Sequence, residues 1–487
     1  MKKITYYLLL MLAFVGCSDD NDNFDSSFSG DNYITINGSI MGVSLTKSEV
    51  YYPLSLASDS YNLLSVNVDP DYIISINGVE YANGSNYQLM VDELSSQIRL
   101  DFCIENRSSG EVLTSYIATL PQSSIVGEVT SNNPPEGFYY LAYANAIFKL
   151  STLGEVVYYK LVNNANLFNR TEIDGVVYYS YLEETFSSEF EDVDDTGSRR
   201  SQAVVMDEHY QEIDVVGNII ATETVGALPL DNHQFHIIDL GHYLISAYNE
   251  KVVYNIPNLE DGVSVYETII QEIKDGELIF NWESSLHPEF YDLFDYREFS
   301  YDSVIPFDYL HFNSVMIDPS DGNFVVSFRA LSSIIKMDRE SGEIIWVLGG
   351  KGDYFDLDAD ATMIGQHDAW AFGDGVYTIF NNNYYSEAAL QGAGESIGGE
   401  YSGAIKYFLD EQNFEVLSYE RYESDSIQAF AEGSAQEIAT GHYLMCWGMP
   451  FSSDYIFTDQ NFITGELYFG LGKISSEDAY KVLKYDK

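Results

Sequence analysis

Basic residues are scarce in this chain. Its 487 residues include 23 lysines and arginines against 76 aspartates and glutamates, a formal net charge of −53. Without a basic patch to release counterions, nucleic acid and an anionic membrane face are excluded as partners. Cysteine is scarcer still, at three residues: Cys17, Cys103 and Cys446. Cys103 and Cys446 fall in different domains by the division argued below, which excludes a disulfide framework. No long apolar stretch with a 3.6-residue period occurs, so no helical domain is expected. There is no Walker sequence, and the acidic segment from Gly392 to Gly398 misses the dinucleotide-binding spacing. Histidine occurs only eight times, so a regular placement of several histidines carries information.

What is present is β-forming sequence. Forty tyrosines, with 15% aromatic and 46% hydrophobic residues, favour an all-β chain with one large core or two unequal ones. Residues 1–17 pair a charged start with a short apolar run ending at Gly16-Cys17. They resemble a bacterial lipoprotein signal, which implies lipidation of Cys17 and anchoring without a spanning helix. Residues 18–30 form an acidic tether with no core residues, similar to the export signal of Bacteroidetes surface lipoproteins. The expected location is therefore the outer membrane, exposed at the cell surface or otherwise on the periplasmic face.

Residues 31–128 alternate short β runs with turns, and predict a small immunoglobulin-like β-sandwich. Residues 129–136, with two prolines, read as a linker. From 137 to 487 one unit recurs. Gly241-His-Tyr-Leu and Gly441-His-Tyr-Leu are identical, and Gly322 and Gly375 open looser copies. The segments ending at Trp282 and Trp346 recur as well. At roughly 45–60 residues per unit, about 350 residues predict a β-propeller of about six blades.

Aligned on these glycines, His233 and His367 each stand eight residues ahead of their glycine, with Gly433 and then Ser434 in the corresponding place before Gly441. His311 precedes Gly322 by eleven, across a longer turn. Equivalent strand starts meet at a propeller's central channel, so the three histidines are expected to converge there. His242 and His442, beside the repeat glycines, are expected to be structural. Arg329 follows His311 on the next strand. Together His233, His311, Asn313, Arg329 and His367 form a set of donors with one fixed cation. Its only carboxylate is Asp368, expected to face away. Such a set suits a tetrahedral oxyanion, and phosphate or sulfate esters are the natural substrates. The permanent cation argues against a tri-histidine metal centre, and the chemistry needs no cofactor. A neutral imidazole can act as nucleophile on such a centre.

At these residues the chain resembles a known family. "LHFNSVMIDPSDGNFVVSFRALSSIIKMDRESGEIIWVLGG" (310–350) and "GQHDAWAFGDG" (365–375) look like the bacterial arylsulfate sulfotransferases, over roughly Gly137 to the C-terminus. The resemblance implies a six-bladed propeller that moves a sulfuryl group between small phenolic donors and acceptors without a nucleotide sulfate. His367 would be the nucleophile that becomes a sulfohistidine. His311, Asn313, Arg329 and His233 would hold the sulfuryl oxygens, with a hydroxyl added by Ser434. Either His311 or His233 would serve as acid and base. Gln234 stands where the family usually has an acid. A propeller that binds sulfated or anionic ligands without turnover is the alternative, and a homodimer through the sandwich domain stays open.

Overall fold

A computed structural model describes residues 33–36, 39–42, 54–55, 61–67, 72–76, 79–81, 86–90, 98–109, 112–120, 129–143, 146–154, 156–185, 200–257, 262–294, 306–386, 396–473 and 478–486. The signal segment, Cys17 and the acidic tether lie outside these residues. Among the described residues no helix is long and apolar enough to cross a membrane.

The N-terminal strands form two sheets. One is antiparallel and joins Tyr33–Ile36, Ser39–Gly42, Tyr61–Asn67 and Asn86–Met90. The other runs in the order Leu54–Ser55, Val112–Leu120, Ile98–Asn106, Tyr72–Ile76, Val79–Tyr81.

The larger unit, residues 118–487 with two short earlier segments, is a six-bladed β-propeller, each blade an antiparallel sheet of at least four strands. Blade two runs outward from Phe168–Ile173 through Val176–Glu184 and Ser201–Met206 to Glu212–Val216. Blades three, four and five begin at the axis with Phe235–Asp239, Phe312–Ile317 and His367–Gly373, and blade six with Ser434–Ala439. Blade one is composite. Its inner strand, Val482–Tyr485, comes from the far end of the chain and pairs with Phe138–Tyr143, closing the ring.

The repeat glycines have a backbone reason. Gly241, Gly322, Gly375 and Gly441 all turn at φ between +70° and +79°, a region that penalises any side chain. At Gly375 a Cβ would also lie 2.2 Å from the Leu409 carbonyl oxygen. The repeated tryptophans fill the spaces between blades. Trp282, on the outer strand of blade three, packs against Gly342 in a turn of blade four. Trp282 and Trp346 are fully buried, and each contributes about 4–6 kcal/mol of transfer free energy at roughly 25 cal/mol per Å². His242 and His442 are structural as expected. His242 bonds Glu272 at 2.6 Å, and His442 bonds Asp459, which also holds Lys484 across the ring closure.

One boundary needs correction. Val129–Ser131, read as the start of a linker, form a strand that pairs with Phe469–Leu471 and adds a fifth strand to blade six. A blade's outer edge carries unpaired peptide groups, and three extended residues suffice to cover part of it. The following segment is tied down too, because Lys484 Nζ donates to the Pro135 carbonyl at 2.9 Å.

Candidate active site

Three consecutive blades bring their histidines together. His233 stands two residues before the inner strand of blade three, His311 immediately before that of blade four, and His367 begins that of blade five. The His233 and His311 ring centroids are 5.7 Å apart. Tyr480, just ahead of the closing strand, stands edge-on to His233 at 5.6 Å and to His367 at 6.2 Å. All four rings are buried.

The three histidines have different partners. His233 Nδ1 bonds Asp231 Oδ1 at 2.7 Å, and His311 Nδ1 bonds Asp308 Oδ2 at 2.5 Å. His367 Nδ1 instead meets Asn382 Oδ1 at 2.7 Å. An amide oxygen only accepts, so His367 carries its proton on Nδ1 and its lone pair on Nε2. That lone pair accepts the Glu432 peptide N–H at 3.2 Å.

Their titration is pushed in opposite directions. Burial drives His367 well below its ordinary value, and the Arg329 charge pushes the same way against the Asn382 hydrogen bond. Burial also dominates at His311, where it outweighs the Asp308 carboxylate and leaves the pKa lowered. At His233 burial is overcome. The Asp231 charge and hydrogen bond, with Asp308 and Glu432 adding, hold the imidazole above its ordinary value. The ring therefore contains a neutral imidazole with a free-electron nitrogen and, two blades away, an imidazole that favours its proton.

Arg329 is buried, and one guanidinium nitrogen donates to the Phe430 carbonyl at 3.0 Å. Asn313 Nδ2 donates to the Gln366 carbonyl at 2.8 Å, one residue from His367. Its Oδ1 is buried with no partner. Ser434 is not brought to the histidines by its hydroxyl. Ser434 Oγ accepts the Val482 N–H at 3.2 Å and so joins blade six to the closing strand. Strand alternation accounts for this: Gly433, one residue earlier, holds the place where other blades carry histidine, and adjacent side chains in a strand point to opposite faces. Asp368 does face away, pairing with Lys481 Nζ at 2.5 Å and Trp370 Nε1 at 2.8 Å.

The expectation of a carboxylate-poor site is overturned by Asp231 and Asp308. Both are buried against the histidines, and each stands two or three residues upstream of its partner. The short Asp-x-His and Asp-x-x-His spacings were the signal for them. Tyr480, Asn382 and the Glu432 peptide carry no such signal. They reach the site only through ring closure and strand ends. Among the described residues no three metal-ligating side chains are grouped as a metal would require.

Comparison with known proteins identifies a family. The profile of the family described as arylsulfotransferase (ASST) matches residues 152–465, well over half of the chain. No curated protein matches. Among solved structures, a Bacteroides caccae protein of unknown function is 10% identical, with a TM-score of 0.40 over 72% of this chain and 100% of its own. A quinonprotein alcohol dehydrogenase-like protein from Bacteroides thetaiotaomicron is also 10% identical, with a TM-score of 0.33 over 93% and 99%.

Proposed function

The chain belongs to the arylsulfotransferase family, and from that premise we propose that it transfers a sulfuryl group from an aryl sulfate to an acceptor phenol through a covalent adduct on His367. In the first step the Nε2 lone pair forms a bond to sulfur while the S–O(aryl) bond breaks. The electron pair leaves on the phenolic oxygen, which takes a proton from His233. In the second step His233 recovers a proton from the acceptor phenol, whose oxygen attacks sulfur and returns the pair to Nε2. Arg329, His311 and the second N–H of Asn313 hold the sulfuryl oxygens, where they stabilise the charge of the transition state.

The observation that supports this most is the divergence within one ring. His367 is neutral with its lone pair on Nε2, while His233 is drawn toward its protonated form by Asp231. Nucleophile and acid need those opposite states at one pH. The test is mass spectrometry after incubation with an aryl sulfate alone. One sulfuryl group is expected on the peptide containing "GQHDAW", removed by adding a phenol and absent from His367→Ala. Label that persists in His367→Ala, or that sits on His311, refutes the assignment.

A second reading, a propeller that binds sulfated ligands without turnover, draws on the Glu432 N–H already bonded to Nε2. Saturable donor binding without phenol release would select it. The location is likewise a proposal. It rests on the segment ending at Cys17, and Cys17→Ser should abolish palmitate incorporation and release the protein from the outer membrane.

A further inference from the structure

Three asparagines in a row, Asn381, Asn382 and Asn383, start at the last residue of the second strand of blade five, Val376–Asn381. The outer two fix the chain. Asn381 Oδ1 accepts the Ile364 and Asn383 peptide N–H groups at 2.8 and 3.1 Å. The Asn383 side chain donates to the Tyr401 carbonyl at 2.9 Å and accepts from Gly399 at 3.1 Å. Ser402 Oγ donates to the Asn382 carbonyl at 2.6 Å. The middle side chain is thereby aimed in one direction.

It closes a three-membered circuit. His367 Nδ1–H donates to Asn382 Oδ1 at 2.7 Å, Asn382 Nδ2 donates to the Glu432 carbonyl at 2.8 Å, and the Glu432 N–H donates to His367 Nε2 at 3.2 Å. Each partner can act in only one sense, so the amide orientation and the tautomer determine one another. The Glu432 end is equally confined. Its backbone is left-handed, at φ +59°. The Gly433 N–H donates to the Tyr480 carbonyl at 3.2 Å. A Cβ on Gly448 would come within 2.6 Å of the Ala431, Glu432 and Gly433 backbone.

On the reading of His367 as nucleophile, we propose that Asn382 is the positioning residue that makes it one. Asn382 fixes the Nδ1–H tautomer. It also holds the Glu432 peptide so that its N–H caps the Nε2 lone pair at rest and donates to a sulfuryl oxygen during transfer. As the lone pair forms the N–S bond it ceases to accept from Glu432, and the electron pair of the breaking S–O bond leaves with the phenol. The N–H is then beside the new sulfuryl oxygens, so its hydrogen bond is exchanged for a charge-assisted one. The place that holds a histidine in three other blades is filled in blade six by a peptide group.

Two variants test this. Asn382→Leu keeps the size but neither accepts nor donates, and Asn382→Asp keeps the acceptor and loses the donor. Tautomer state is read from the ¹⁵N spectrum of histidine-labelled protein, with His367 assigned by its loss in His367→Ala. The covalent step is read as the single-turnover rate of sulfuryl labelling. Asn382→Leu should give a mixed tautomer and slow labelling about 10²–10³-fold, the range for losing one preorganised electrostatic contact, with donor KM little changed. Asn382→Asp should keep the tautomer but place a charge beside Nδ1, moving the acid limb of labelling upward by at least about one pH unit. Wild-type tautomer and labelling rate in Asn382→Leu would overturn the proposal alone. No label on wild-type His367 would remove the nucleophile reading, and this proposal with it. Should Asn382→Leu not fold, an unmoved acid limb in Asn382→Asp overturns it.

Discussion

On the mechanism proposed above, replacing Asp231 with Asn should separate the acid from the nucleophile. Asp231 is buried, with Oδ1 2.7 Å from His233 Nδ1 and Oδ2 accepting the His233 N–H at 3.2 Å. The amide oxygen can keep the Nδ1–H contact, at the cost of the acceptor facing the His233 N–H, while the negative charge disappears. At an effective dielectric near 20, two unit charges about 4 Å apart interact by about 4 kcal/mol. Allowing for the neutral hydrogen bond that remains, about 3 kcal/mol of imidazolium stabilisation is lost. Burial then acts with less opposition, and His233 falls below its ordinary value. The sign follows directly. On the proposed mechanism the working form is protonated, so the basic limb of donor cleavage should move down in pH. The assay is single-turnover phenol release from a series of aryl sulfates of graded leaving-group acidity. A weakly acidic phenol cannot leave without a proton and should slow about 100-fold above neutrality, whereas a nitrophenol should slow less than about tenfold. Equal slowing across the series, or an unmoved basic limb, would refute His233 as the acid. Asp308→Asn is the comparison: Asp308 adds less than Asp231 to the charge that raises His233, and its own partner His311 is already held below its ordinary value, so the leaving-group dependence should change in the same direction but by less.

Arg329→Lys keeps the charge but loses the planar fork. It should lower kcat by about 10²-fold or more while changing donor KM far less, measured by steady-state release of a coloured phenol. Activity should be unchanged after exhaustive chelation, because the fixed Arg329 charge that depresses His311 and His367 would also repel a divalent ion at the same ring. Asp459→Asn breaks a buried network that joins Tyr139 and Lys484, both at 2.8 Å, to His442, and should cost about 3–5 kcal/mol in thermal or denaturant unfolding. Although burial pushes the other way, these bonds hold the Asp459 pKa below its ordinary value. The stabilisation is thus present at neutral pH and fades as pH falls through that lowered pKa, so the gap between wild type and variant should narrow in acid.

The blades were legible because each repeats one backbone demand. A left-handed turn before the second strand requires glycine, and it recurs as Gly241, Gly322, Gly375 and Gly441 whatever the neighbouring side chains. Counting back from those glycines put His233, His311 and His367 at inner-strand starts, and the structure brings them to one ring. The same count placed Ser434 at an inner-strand start but could not give its direction, since one residue of offset reverses a side chain. Blade one was hidden for a topological reason. Its inner strand arrives from the far end of the chain, so Tyr480 stands before no repeat glycine. Asn382 and Glu432 were hidden for a conformational one. Each sits at a strand end, and their meeting depends on left-handed peptides that no periodicity encodes.

The ring's asymmetry follows from the same comparison. Six equivalent positions could hold six alike groups, but six like imidazoles would depress one another's protonation and leave no acid. Here a carboxylate backs His233 and His311, while an amide backs His367. Burial, with the Arg329 charge adding, lowers the two histidines of blades four and five, whereas in blade three the Asp231 charge and hydrogen bond overcome burial. Blades six and one add groups that do not titrate near neutrality: a peptide N–H at Glu432 and the buried phenol of Tyr480, which burial pushes well above its ordinary value. A repeat supplies the convergence of side chains. The proposed mechanism needs neighbours in the ring to differ in charge, and the balance of burial, the Arg329 charge and the group behind each histidine creates that difference.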